Sequence, residues 1–94
     1  MRFDQKAFGE RIQQLRVSRG MTQETLAERA STERSHIAKI ENGKRCCSID
    51  LLIVFASIFD VSTDYLLFGR SENEVLKNDL TLAVGQLAAL VQKL

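Results

Sequence analysis

Apolar residues fall three and four apart along most of this chain, the spacing that puts them on one face of an α-helix. Phe8, Ile12 and Leu15 form such a stripe in a helix predicted from about Asp4 to Ser18 and ended at Gly20, with Phe3 extending it. Leu26, Ala27 and Ala30 make the apolar face of a second, short helix, with Thr22 as N-cap and Glu24 complementing the dipole. After Ser31 and Thr32 a third helix runs to about Asn42, where Gly43 supplies a left-handed stop. Ser48 caps a fourth that runs to about Phe59, and a short fifth, Ser62 to Phe68, closes at Gly69. Beyond a boundary at residues 69–72, Ser71 to Glu74 fit a capping box. Leu76, Leu80, Ala83, Leu87, Leu90 and Leu94 then recur at alternating steps of four and three, a heptad seam widened by Val84 and Val91. Gly85 weakens that last helix by ~1 kcal/mol.

In the third helix the residues sort by angle at about 100° per residue. Ile37 and Ile40 point one way, with Glu33 and Glu41 on the flanks of that face. Ser35, Ala38, Lys39 and Asn42 point the opposite way, and Arg34 lies beside them. Small, polar and cationic groups on one face suit a groove lined with base edges and phosphates. Periodicity alone does not separate that face from an ordinary solvated one.

Thr22-Gln23, Leu26-Ala27, Ala30, Ser35, Ile37, Lys39-Ile40-Glu41-Asn42-Gly43 and Lys44-Arg45 share this segment, and Val61-Ser62 with Asp64-Tyr65-Leu66-Leu67-Phe68-Gly69 follow. With those residues at that spacing, the stretch from about Phe8 to Gly69 resembles the phage Cro/C1-type repressors, the XRE family. The resemblance implies an all-α fold: a five-helix, lambda-repressor-like DNA-binding domain over residues 1–69, with Leu52, Phe55, Ala56 and Phe59 in its core. Residues 70–94 would add a C-terminal sixth helix.

The family also supplies expected roles. An arginine at the Arg16 position pairs there with a glutamate at the Glu41 position, beneath the recognition helix. Gln23 matches a residue that bonds a phosphate and braces that helix. Arg34, Ser35 and Lys39 match base-reading positions, and Arg34 or Lys39 can reach guanine O6 and N7. Asn42, Lys44 and Arg45 match positions that contact the DNA backbone. The chain departs from the family at the turn, where Ser31, Thr32 and Glu33 replace the usual glycine, apolar residue and serine. A non-glycine residue in a left-handed conformation there costs ~1 kcal/mol, and Ser31 or Thr32 is expected to cap the third helix instead.

Charge fits this reading in its distribution more than its total. The net charge is +1, but residues 1–45 hold ten Lys/Arg against six Asp/Glu, and residues 46–94 hold three against six. The basic half contains the predicted DNA-facing helix. So small a surplus points to a dimer for useful affinity. The seam from Leu76 to Leu94 could pair with its mate in a homodimer, or fold back onto a second apolar stripe on the fourth helix, Leu51, Val54 and Ile58. That stripe exceeds what the core needs and is expected to be a docking surface. Nothing at Met1 to Asp4 resembles a signal peptide, and the apolar run Leu51 to Ala56 is too short to span a bilayer. Cytoplasmic residence, without membrane contact, is the expectation.

Catalysis has little support. His36 has no nucleophile or paired carboxylates placed around it and is expected on the flank of the groove or partly packed. Cys46 and Cys47 are adjacent, which fits neither a Cys-x-x-Cys motif nor a zinc site. They read as reduced loop thiols, or as a pair whose oxidation alters DNA affinity. No metal or cofactor is expected. The function expected is a homodimeric, sequence-specific regulator of transcription, a repressor on a palindromic operator. The alternatives on the same fold are a restriction–modification controller-type activator, or an antitoxin-like module with a protein partner.

Overall fold

The computed structural model describes residues 2–69, which form five helices and, among the described residues, no strand. The heptad positions Leu76, Leu80, Ala83, Leu87, Leu90 and Leu94 lie outside the described residues. α1 spans Gln5–Ser18, α2 Gln23–Arg29, α3 Arg34–Glu41, α4 Ile49–Phe59 and α5 Thr63–Phe68.

Four of the five helix starts are fixed by short polar side chains. Asp4 accepts the Lys6 and Ala7 amides at 3.1 Å, Thr22 that of Thr25 at 3.0 Å, Ser48 that of Leu51 at 3.2 Å, and Ser62 that of Tyr65 at 3.0 Å. Each bond satisfies a donor that the helix cannot pair internally.

α3 is the exception. Its N-cap is Glu33, with no side-chain capping bond, so neither Ser31 nor Thr32 serves as expected. Ser31 instead adopts φ +54° and ends α2. The Thr32 amide reaches back to the Ala27 carbonyl at 2.9 Å and the Ser31 amide to that of Glu28 at 3.2 Å. This pair of bonds is a Schellman stop, which takes its left-handed residue at the position Ser31 fills. With Ser31 committed to that turn, the first extended residue available to start α3 is Glu33. Ser31→Gly is therefore expected to raise stability by about 0.5–1 kcal/mol, the relief of the Cβ clash less the extra freedom of the unfolded chain. Urea denaturation checks this; an unchanged or lower midpoint would mean that Ser31 bears no strain.

The core gathers one face from every helix: Phe8, Ile12 and Leu15 from α1, Leu26 and Ala27 from α2, Ile37 and Ile40 from α3, Phe55 and Phe59 from α4, and Leu66 from α5. Burying each of the larger side chains contributes roughly 1.5–3 kcal/mol. α3 packs against both α1 and α2, and α1 also meets α4 and α5. On α4 the structure corrects the expected docking stripe. Leu51, Val54 and Ile58 are half-buried against the core, whereas Ile49 and Ile53 stand outward at 75% and 56% exposure. Phe55 and Phe59 set the roll of α4, and at about 100° per residue Leu51 and Ile58 fall beside them.

α1 and its C-cap residue Arg19 also supply polar side chains near three other helix ends. Gln5 donates to the Gly43 carbonyl at 2.7 Å, after α3. Arg11 donates to the Leu66 and Leu67 carbonyls, both at 2.9 Å, at the end of α5. Arg19 donates to the Phe59 carbonyl at 2.6 Å, at the end of α4, and lies 5.6 Å from the centre of the Phe59 ring. The Leu66, Leu67 and Phe59 carbonyls lie in the last turns of their helices, where a cation is favourable.

Candidate nucleic-acid interface

The outward face of α3 is set by what its inner face must do. Ile37 and Ile40 are fully buried and Glu41 is 6% exposed. The helical period then carries Arg34, Ser35 and Lys39 into solvent. Asn42 is the exposed C-cap of α3, and Lys44 and Arg45 follow, both exposed. The amides of Lys44 and Arg45 donate to the Lys39 carbonyl at 3.0 and 3.3 Å, so the loop stays tied to the last turn of α3. Gly43 holds φ +76° at that exit, and a Cβ there would lie 3.0 Å from the Lys6 Cα.

Ser35, Lys39 and Arg45 share a hollow of about 400 Å³ with Thr32, Glu33 and His36. Arg34, Asn42 and Lys44 lie outside its lining, and Gln23 stands at the start of α2. Nothing in the sequence marks Thr32 and His36 as members of one concave surface. They meet there because the α2–α3 turn and the α3–α4 loop approach the same side of α3, a relation with no periodic signal. Glu33 contributes an exposed carboxylate amid the cations, which disfavours phosphate close to it.

Beneath this face Arg16 and Glu41 form a two-pronged ion pair. The Arg16 Nε and Nη2 donate to the two Glu41 carboxylate oxygens at 2.8 and 3.0 Å, and Nη1 donates to the Met21 carbonyl at 2.8 Å. Gln23 adds a donor to the same carboxylate at 3.3 Å. The side chains are 12% and 2% exposed, so this is a buried pair, with α1, α2 and α3 joined through one carboxylate.

A family model described as helix-turn-helix matches residues 12–66, which include all of α2, α3 and α4. The chain belongs to the Cro/C1-type helix-turn-helix family. The transcriptional activator BcrR of Enterococcus faecalis is 40% identical over 63 residues, covering 67% of this chain and 31% of BcrR. The chain therefore spans less than a third of that relative. Among solved structures, the restriction-modification controller protein C.AhdI of Aeromonas hydrophila matches with a TM-score of 0.64 and 33% identity, over 68% of this chain and 97% of C.AhdI. The N-terminal DNA binding domain of SinR from Bacillus subtilis matches with a TM-score of 0.61 and 32% identity, over 65% and 90%. A SinR structure in complex with DNA matches with a TM-score of 0.58 and 35% identity, over 63% and 95%.

In this helix-turn-helix protein α2 and α3 are the two motif helices. Cys46 and Cys47 lie in the loop that follows, both half-buried. Burial, and next the neighbouring Cys46, push the Cys47 thiol up to about 12. A thiol held protonated is a poorer nucleophile than a thiolate. Among the described residues no helix is long and apolar enough to cross a membrane.

Proposed function

We propose that this chain regulates transcription by binding double-stranded DNA sequence-specifically, as a homodimer on a palindromic operator, with α3 in the major groove. The observation that carries the reading is the exposed Arg34, Ser35 and Lys39 face, continued by Lys44 and Arg45. Likeness to SinR, which has been solved with DNA, supports it. Arg34, Ser35 and Lys39 read bases, while Gln23, Asn42, Lys44 and Arg45 hold the phosphate backbone. Two recognition helices would enter successive major grooves ~34 Å apart. Residues 70–94 join the two copies through Leu76, Leu80, Ala83, Leu87, Leu90 and Leu94. Repression by occupancy is the outcome proposed. Likeness to an activator and to a controller protein makes activation the second reading, with the same DNA contacts.

Base and phosphate roles separate in a binding experiment. Lys44→Ala is expected to weaken all duplexes alike and to flatten the salt dependence by about 1 in slope. Arg34→Ala is expected to cost about 1–3 kcal/mol on the selected site and to relax preference at one base pair. Fluorescence anisotropy on selected and random duplexes at several salt concentrations distinguishes them; equal losses on both duplexes for Arg34→Ala would remove it from base reading. Light scattering of the full chain with a dimer mass supports the assembly, and a monomer at working concentrations contradicts it.

Exposed Ile49 and Ile53 favour a contact between α4 and another protein, as an antitoxin-like module would make. In that case purified protein would select no DNA, and Ile53→Asp would abolish capture of a partner from the native host.

A further inference from the structure

Glu33 sits among cations and pairs with none of them. It starts α3 at φ −93° and ψ 147°, and its side chain caps no amide of that helix. Its carboxylate is exposed and, among the described residues, forms neither an ion pair nor a hydrogen bond. It nevertheless lines the hollow of about 400 Å³ that holds Ser35, Lys39 and Arg45. In helical register Glu33 would fall beside Ile37 and Ile40; its extended backbone takes it out of that register.

As a cap, glutamate is a poor choice. Asp, Ser or Thr would bond an α3 amide, as Thr22, Ser48 and Ser62 do at their own helices. The longer side chain instead carries its charge into the hollow. On a surface that meets DNA, that charge repels every phosphate alike. It lowers affinity unless a donor on the DNA meets it.

We infer that Glu33 determines specificity, its carboxylate accepting a hydrogen bond from the N4 amino group of one cytosine in each half-site. The inference rests on the DNA-binding reading above and names a base within it. The N-terminal residues of a helix in the major groove are the ones that reach base edges, and Glu33 stands at that end of α3. The donor pattern of the groove then selects the base. Guanine offers N7 and O6, and thymine O4, all acceptors that repel a carboxylate. Adenine sets its N6 amino group beside the N7 acceptor, a pair that suits an amide side chain. Cytosine offers its N4 amino group with no acceptor on the same edge. A carboxylate accepts and cannot donate, so it fits cytosine. Lys39, in the same hollow, is the donor suited to guanine. Glu33 also acts by exclusion, because a site without that cytosine leaves its charge facing phosphates and acceptors.

The test uses the full chain and its Glu33→Ala variant, which loses a side chain that caps nothing and should melt as the native protein does. In-vitro selection from random duplexes is expected to give the native chain a motif with one fixed cytosine per half-site that the variant no longer requires. Anisotropy is then measured on the selected duplex and on a copy with 2-pyrimidinone, which lacks the N4 amino group, opposite the unchanged guanine. The native chain is expected to lose about tenfold on that copy, and Glu33→Ala no more than about twofold. Equal losses by the two proteins, or the same base required at every position by both, would overturn the contact. Tighter binding of the variant to all duplexes, with no change in base preference, would leave repulsion as the whole role of Glu33 and overturn it too. Failure of the native chain to enrich any motif would overturn the DNA reading and this contact together, a result distinct from a motif indifferent to Glu33.

Discussion

Arg16→Ala is expected to cost about 3–5 kcal/mol of folding stability, because it leaves the buried Glu41 carboxylate without its cation. The variant also removes the donor to the Met21 carbonyl, at the turn between α1 and α2. An exposed pair of the same chemistry would contribute ~0–1 kcal/mol. Burial decides between these magnitudes: the Glu41 side chain is 2% exposed, and among the described residues only Gln23, at 3.3 Å, would still donate to it. Arg16→Lys should fall between, since a single ammonium cannot span both carboxylate oxygens and the carbonyl. Replacing Arg16 by Met together with Glu41 by Leu should recover much of the loss, because no uncompensated charge then remains. Chemical denaturation of the four proteins checks the series. A loss below 1 kcal/mol for Arg16→Ala would show that the pair is worth no more than a surface contact.

Gly9→Ala is expected to destabilise by about 3 kcal/mol, against the direction set by helix propensity. In a solvated helix this change would gain ~1 kcal/mol. Here the backbone of α3 lies directly against the Gly9 Cα: an added Cβ would overlap the Ile40 carbonyl oxygen and approach that of Glu41 to 3.0 Å. Backbone cannot rotate aside as a side chain can, so α1 and α3 must separate. Packing on Phe8, Ile12, Ile37 and Ile40 would suffer together. Thermal melting of the variant gives the sign directly, and a raised midpoint would contradict the close approach of the two helices.

These two residues were unequally legible in the chain. Arg16 and Glu41 could be joined through resemblance to a family, since twenty-five positions separate them. Gly9 gave no signal, because a glycine within a helical pattern looks only like a weak spot until a neighbour's backbone is placed against it. The same holds for Gln5, Arg11 and Arg19, whose bonds reach 38 to 56 residues along the chain. Long polar side chains carry no period, so they read as surface charge.

Where the relevant physics is local, the sequence was informative. Thr22, Ser48 and Ser62 start helices because their own oxygens accept nearby amides. Exposure of Arg34, Ser35 and Lys39 follows from the burial of Ile37 and Ile40 on the same helix. Locality also explains the failures. The start of α3 shifted because Ser31 had two competing uses, and the turn took it. The outward apolar positions on α4 proved to be Ile49 and Ile53 because packing partners, not spacing, set the roll of that helix.

In-vitro selection from a random duplex pool, run in parallel with the native chain and a variant carrying Arg34→Ala, Ser35→Ala and Lys39→Ala, tests the assigned role of α3 most directly. Alanine sustains the helix, so the variant should melt as the native chain does. The native chain is expected to enrich a motif of two inverted half-sites about one helical turn apart, and the variant to enrich none. Enrichment of the same motif by both proteins would contradict the account.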